Sequence, residues 1–446
     1  MNPVPLSSAR SSRSTEHLAG FTFLLMLVVS VGVGLAYALI GRLVPSDEAL
    51  STVRGMLRAQ STVLGSLILL PTTLGLLTNL VLPAQLGATA SQQRRWRVRF
   101  SVLCQIVGTA SCFGSIALTG SRAAPALFGF AALVSSAGLA ATSLECLGLF
   151  ARRDGDELVA GPTVLARSLY VASVASLLSC AGLFLLYADR FAHGGLTRAS
   201  TMPESPVFPA ALLLVPAIGI VSDVLATFSK RRLAGERWLS VSLVGVAFVA
   251  LATWALRWFA AETSARVAMW AAGPLYGTFG GLAVLSWLMT LRGAGARLEG
   301  PMVWAVAFIA QLTIGSLIGF VLLPGTGFGA AYSSPLEVTR SQYLFTGAPL
   351  FATVAGLFYW YPRFGGRGAR GAPLGALLTF GGFQVALVAE LLVGLFGVPL
   401  GVISGEGAVG AFVEAGGLVA VVVGLLLVGF DIISARGSGS SAMAEH

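Results

Sequence analysis

Charge and histidine are what this chain has least of. Only 11% of its 446 residues are Asp, Glu, Lys or Arg, while 56% are hydrophobic. A water-soluble domain carries about 25% charged residues, so this chain has too little polar surface to cover a soluble fold. The mean hydropathy of +0.84 also excludes a disordered or low-complexity chain. Histidine occurs three times, as His17, His193 and His446, and never inside a long apolar run. That excludes bis-histidine haem ligation and any His-built copper site within a bilayer. The four cysteines, Cys104, Cys112, Cys146 and Cys180, stand singly with no CxxC. They make neither a disulfide framework nor a thiolate metal site and read as buried thiols. Acids are outnumbered 19 to 28 by Lys and Arg, for a net charge of +9. Nucleic acid is no explanation of that excess, because most of the chain cannot stand in water.

What is abundant is apolar sequence in runs of membrane length. A spanning helix needs about 20 mostly apolar residues. Twelve such runs occur: 20–42, 58–83, 99–119, 124–150, 165–188, 207–228, 239–260, 267–291, 303–323, 341–361, 373–397 and 408–433. The expected fold class is therefore an all-α polytopic membrane protein with twelve transmembrane helices. Gly and Ala are frequent within the runs, as close helix packing in lipid requires. Gly273/Gly277 and Gly277/Gly281 are candidate small-xxx-small contacts.

Lys and Arg orient the chain. With the N-terminus inside, 19 of the 28 fall at the inner ends and loops, and every inner loop is basic. Both termini are thus expected in the cytoplasm, and topology accounts for the basic excess. Residues 1–18 and 434–446 read as disordered cytoplasmic tails around a membrane domain at 19–433. The first apolar run has span length, which argues against a cleaved signal peptide. There is no 20–50 residue repeat and no loop long enough for an extramembrane domain.

Charges inside the runs are few. Glu145 and Asp223 lie near inner helix ends, within reach of water or a nearby Arg. Glu390, Arg257 and Arg340 fall in the outer halves of spans, where charge is costly and usually paired. They form a candidate buried cluster.

Four blocks of sequence resemble subunit I of the haem-copper oxidases of the cytochrome c oxidase type. Leu70-Pro71-Thr72-Thr73-Leu74-Gly75-Leu76-Leu77-Thr78-Asn79-Leu80-Val81-Leu82-Pro83 is similar to MPALIGGFGNWFVP. Val215-Pro216-Ala217-Ile218-Gly219-Ile220-Val221-Ser222, followed by Thr227-Phe228-Ser229-Lys230, is similar to LPGFGIIS and TFSRK. Ser286-Trp287-Leu288-Met289-Thr290-Leu291, Pro301-Met302-Val303-Trp304-Ala305, Thr313-Ile314-Gly315 and Gly356-Leu357-Phe358-Tyr359-Trp360-Tyr361-Pro362 resemble SWLATL, PMLWA, FTIGG and AGxYYWFP. Gly382-Phe383-Gln384 and Gly394-Leu395-Phe396-Gly397-Val398-Pro399 resemble GFN and GLMGMP. The likeness covers spans two to twelve and implies the twelve-helix arrangement of that subunit.

Carried over residue by residue, the resemblance shows framework without ligands. Gln60 stands at the position of one low-spin haem histidine and Gln342 at the other, while Arg340 takes the place of the high-spin haem ligand. Val207, Leu256 and Arg257 stand at the copper-histidine positions, and Ala211 at that of the cross-linked tyrosine. Pro209, Ala90 and Ala283 replace proton-channel residues, Tyr332-Ser333 the magnesium ligands, and Leu400-Gly401 the arginines at the haem propionates. Asn79, Trp254, Trp287, Trp304, Trp360 and Pro399 remain.

The resemblance therefore implies a shared fold without shared chemistry. No catalytic residue, cofactor or metal is expected. The leading expectation is a haem-free, copper-free structural or assembly subunit of a respiratory or electron-transfer complex. It would sit in a bacterial cytoplasmic membrane, with the lipid bilayer and other membrane subunits as partners. The alternative is binding or transport of a small molecule, lipid or ion through the vacated haem region. An active oxidase is the least expected reading.

Overall fold

The computed structural model describes residues 18–32, 65–86, 92–118, 123–151, 163–192, 209–295, 298, 300–321, 339–364, 372–396 and 409–441. All regular structure among them is helical. In chain order the helices are α1 (Leu18–Gly32), α2 (Ser66–Leu86), α3 (Gln92–Ala117), α4 (Ala124–Ala151), α5 (Val164–Ala192) and α6 (Ala210–Ser229). There follow α7 (Glu236–Phe259), α8 (Glu262–Leu291), α9 (Pro301–Val321), α10 (Thr339–Trp360), α11 (Pro373–Phe396) and α12 (Val409–Ser441).

Each predicted apolar run overlaps one of these helices. Among the described residues nine helices are long and apolar enough to cross a membrane, with shorter apolar helices at Leu18–Gly32 and Pro373–Val388. The helix ends differ from the apolar boundaries. α3 begins at Gln92, inside the basic Gln-Gln-Arg-Arg-Trp-Arg-Val-Arg segment, and α12 continues past the predicted end at 433 to Ser441. In α3 a backbone ladder, once nucleated, extends through good helix formers such as Arg whether or not they lie in lipid, whereas the Gly/Ser-rich extension of α12 has no such propensity to explain it. Residues 434–441 are helical, not part of a disordered tail, while 1–17 and 442–446 lie outside the described residues.

Side-chain contacts bring the C-terminal ends of α2, α6, α10 and α12 together with the start of α5. Near its C-terminal end α2 meets the start of α5 and the lower part of α6: Gln85 Nε2 donates to Asp223 Oδ2 at 2.9 Å, and Thr163 Oγ1 donates to Gln85 Oε1 at 3.0 Å. At the same end Thr227 and Tyr359 share a 2.9 Å hydrogen bond, and Tyr361 donates to the Ile432 carbonyl at 2.8 Å. Small residues hold the close crossings. Gly273 of α8 faces Gly319 of α9, and on α11 and α12 Gly375 faces Gly424 while Gly382 faces Gly417. Gly277 meets Phe320, but Gly281 faces open space, so only part of the predicted small-residue series is a packing contact.

Three helices are enclosed by the rest. The most apolar stretches of α2, α6 and α10 are 83%, 78% and 67% buried, against 33% for α12. They are spaced four apart in chain order. Two of them also carry π-helical turns, at Gly65–Leu69 and Leu77–Val81 in α2 and at Gln342–Gly347 in α10. Each turn ends two residues before a proline: Pro71, Pro83 and Pro349. A proline ring collides with the carbonyl four residues earlier and cannot donate to it. A widened turn at that point relieves the collision without breaking the helix.

Candidate functional site

The irregular starts of the three enclosed helices converge. The π turn Gly65–Leu69 approaches the 3₁₀ turn Ala210–Leu213 at the head of α6, which in turn approaches the π turn Gln342–Gly347. Pro209, in extended conformation (φ −69, ψ 105), sets up the 3₁₀ turn. The side chains that close this junction are apolar. Leu67, Ile68, Leu212, Leu213 and Leu344 are all buried. Of the positions predicted from the resemblance, Ala211 lies on the 3₁₀ turn and Gln342 on the π turn of α10. Arg340 and Gln342 are within the first residues of α10, while Gln60 and Val207, just ahead of α2 and α6, lie outside the described residues. So do Ala90, Tyr332, Ser333, Pro399, Leu400 and Gly401.

Arg340 is only 3% exposed. Its guanidinium lies 5.9 Å from the centre of the Phe345 ring. That neighbour is five residues along the chain, a separation that a π turn brings onto one face and an α-helix does not. Phe345 also meets Tyr276 of α8 edge to face, at 5.5 Å between centroids. Gln342 is half-buried. One residue on, Tyr343 donates to Gln384 Oε1 of α11 at 2.7 Å. Around that bond Ile318 of α9, Tyr343 and Leu387 pack with Ile314, Phe383 and Leu391.

The predicted charge cluster needs one correction. Arg257 is exposed, with its guanidinium 5.2 Å from the Trp258 ring, and Leu256 beside it is also exposed. Both lie in the last turn of α7, where the helix turns Trp254 inward against Gly182 of α5 and leaves the next positions facing out. A guanidinium there keeps its charge at the helix end instead of within the bundle. The Glu390 side chain lies outside the described residues.

The two inner-end acids have partners. Glu145 is 2% exposed and its Oε2 lies 3.7 Å from Nη1 of Arg97 across the α3/α4 seam. Asp223 accepts from Gln85 as described above. Sequence reasoning missed Gln311 of α9, which is fully buried and leaves both amide atoms without a hydrogen-bond partner. Gln384 leaves its Nε2 unsatisfied as well. The available signal was a lone primary amide in an otherwise apolar span.

At the positions that the resemblance assigns to metal ligands, the side chain types are a poor fit to haem iron or copper. A guanidinium has no lone pair to donate, and the alkyl side chains of Leu256 and Val207 cannot ligate. Among the described residues no group of three or more His, Cys, Asp or Glu could hold a metal ion. The framework tryptophans are in place. Trp287 donates to Ser222 Oγ of α6 at 3.0 Å, and the Trp304 ring centre lies 5.7 Å from that of Phe351.

The family profile described as "Cytochrome C and Quinol oxidase polypeptide I" matches residues 17–425. A cytochrome c oxidase subunit 1 from Bacillus sp. (strain PS3) is 31% identical over 198 residues, which is 42% of this chain and 31% of that protein. A probable cytochrome c oxidase subunit 1 from Bradyrhizobium diazoefficiens is 27% identical over 380 residues, 76% of this chain and 56% of that protein. A probable quinol oxidase subunit 1 from Staphylococcus haemolyticus is 28% identical over 193 residues, 42% of this chain and 29% of that protein. The chain thus spans between 29% and 56% of the length of these relatives.

Proposed function

The chain belongs to the cytochrome c and quinol oxidase polypeptide I family, and from that premise we propose that it is a haem-free, copper-free member acting as a structural or assembly subunit of a membrane respiratory complex. One observation carries this reading: helix-packing residues persist beside assigned ligand positions that hold only glutamine, a poor ligand for haem iron, or side chains that cannot ligate. Trp287, Trp304 and Trp360 are buried, and Asn79 donates to the Gly75 carbonyl at 2.7 Å. On the same scaffold the ligand positions read Gln60, Val207, Leu256, Arg257, Arg340 and Gln342. Oxygen reduction at a haem-copper centre needs axial ligands, a copper partner and a proton supply, and selection on the chemistry would keep those first. Selection on packing against neighbouring subunits keeps the framework. The reading places the protein in a bacterial cytoplasmic membrane with both ends of the chain on the inner side, where the basic loops lie.

A second reading has its own observation. Gln311 brings a buried, unsatisfied amide to the α9 face, and Gln384 brings another to α11. Such groups are ordinarily met by water or a polar ligand, which favours a small-molecule or ion site near the vacated region.

The test is purification in mild detergent, with a visible spectrum, copper analysis and mass spectrometry of co-purifying chains. The proposal expects no Soret band, no copper and stoichiometric membrane subunits. A Soret band near one haem per chain, or one copper per chain, would overturn it. A chain that purifies alone and takes up a solute in vesicles would favour the second reading.

A further inference from the structure

The loop between α6 and α7 is basic and held rigidly against the end of α8. Lys230 (φ 52) and Gly235 (φ 69) adopt left-handed conformations that turn the chain from one helix into the next. Arg231 donates from Nη1 to the Arg292 carbonyl at 2.9 Å and from Nη2 to the Gly293 carbonyl at 2.6 Å, capping the C-terminal end of α8. The Ala234 N–H donates to Thr290 Oγ1 at 2.9 Å, and Ser286 Oγ donates to the Ala234 carbonyl. This clamp brings Lys230, Arg232, Arg237 and Arg292 to one end of the α7/α8 pair, all exposed. The one acid between residues 230 and 237, Glu236, is taken up by Arg167 at 2.8 Å. The positive charge of the platform is therefore uncompensated by the loop itself.

Directly beyond the platform the outward surface turns apolar. On α7, Trp238 is 56% exposed and heads a stripe continued by Val241 and Phe248, and on α8 the exposed neighbours are Leu285, Leu288 and Met289. An indole at the boundary between a charged end and an apolar face is the placement that a membrane interface favours. We propose that this surface is a binding site for one anionic phospholipid. Its phosphate lies on Lys230, Arg232, Arg237 and Arg292, and its acyl chains run along the Trp238–Phe248 stripe and the facing side of α8. Guanidinium groups recognise phosphate oxygens in paired hydrogen bonds. The clamp holds the backbone of the loop against α8, so the segment that carries Lys230 and Arg232 need not be ordered on binding. The site is independent of whether the chain carries haem.

The experiment is native mass spectrometry of the full-length protein in detergent, titrated with phosphatidylglycerol and, separately, with phosphatidylcholine. Phosphatidylglycerol should remain bound where phosphatidylcholine does not. K230Q/R232Q/R237Q, which spares the Arg231 clamp, should weaken phosphatidylglycerol on the order of tenfold or more. R94Q/R95Q/R99Q removes equal charge at the start of α3 and should change it little. Trp238→Ala should also weaken it, and it carries the comparison should the triple variant fail to purify. Equal weakening by both triple variants would reduce the site to diffuse surface charge and overturn the proposal. So would equal retention of the two lipids. If inorganic phosphate displaces the lipid and Trp238→Ala has no effect, the platform is a free-phosphate site and the lipid proposal fails.

Discussion

A guanidinium sealed inside a helical bundle cannot relieve its cost by losing a proton. Arg340, at 3% exposure, sits in that position. Ring faces such as that of Phe345 attract a cation but do not balance its charge. Glu390 is the one acid in the sequence of α11, the helix whose Gln384 accepts from Tyr343 of α10, so we propose Glu390 as the balancing carboxylate. Removing one member of a buried pair typically costs about 3–5 kcal/mol, because the other charge is left behind. Arg340→Leu is therefore expected to unfold at clearly lower denaturant than Arg340→Leu combined with Glu390→Leu, in detergent unfolding curves read by circular dichroism. Superimposable curves for the two variants would rule the pairing out. At this scale the sequence was an uneven guide. It singled out Arg340 as a charge within a span, and that side chain is buried. It grouped Arg257 with Arg340, and the structure separates them. Depth along a helix can be read by counting residues. The direction in which a side chain leaves the helix depends on the rotation of the whole element, which packing decides.

Among the elements, α11 and α12 show how tightly two helices depend on absent side chains. A Cβ added at Gly417 would stand 2.5 Å from the Ala386 nitrogen and 2.6 Å from the Gly382 carbonyl oxygen. Those are backbone atoms, which move only if a helix moves. Gly416, one position away, has nothing within 4 Å of its added Cβ. Gly417→Ala should therefore destabilise the protein by about 1–3 kcal/mol through overpacking. Gly416→Ala should be neutral or slightly stabilising, because Ala exceeds Gly in helix propensity by about 1 kcal/mol. Thermal unfolding of the two variants side by side checks both. If Gly417→Ala matches the wild type, the seam is not as close as described. The existence of each helix was legible from the apolar runs, because twenty apolar residues in a row admit little else. The ends were not, since α3 and α12 run on through polar sequence. The π turns were legible in principle: Pro71, Pro83 and Pro349 each follow one by two residues. A proline in a span demands relief somewhere upstream, but periodicity alone does not say whether by kink, break or widened turn.

At the scale of the whole molecule, three enclosed helices spaced four apart in the chain set a schedule for synthesis. A membrane protein leaves the ribosome from its N-terminus, at about 5–20 residues per second. α2 is delivered early, α6 midway and α10 late, yet the head of α6 is covered in part by the turns of both α2 and α10. Until Gln342–Gly347 arrives, the turn at Ala210–Leu213 lacks one of the neighbours that cover it. Widened turns carry poorly satisfied backbone groups, and lipid offers those groups no hydrogen bonds. A nascent chain paused before α10 is thus an exposed intermediate that quality-control proteases can recognise. A gene truncated after residue 321 should yield a rapidly degraded product in pulse-chase labelling, even though it retains both of the earlier central helices. Supplying residues 322–446 from a second gene should restore it. The late helix would then act as an internal checkpoint on completion, read by the cell as survival of the chain.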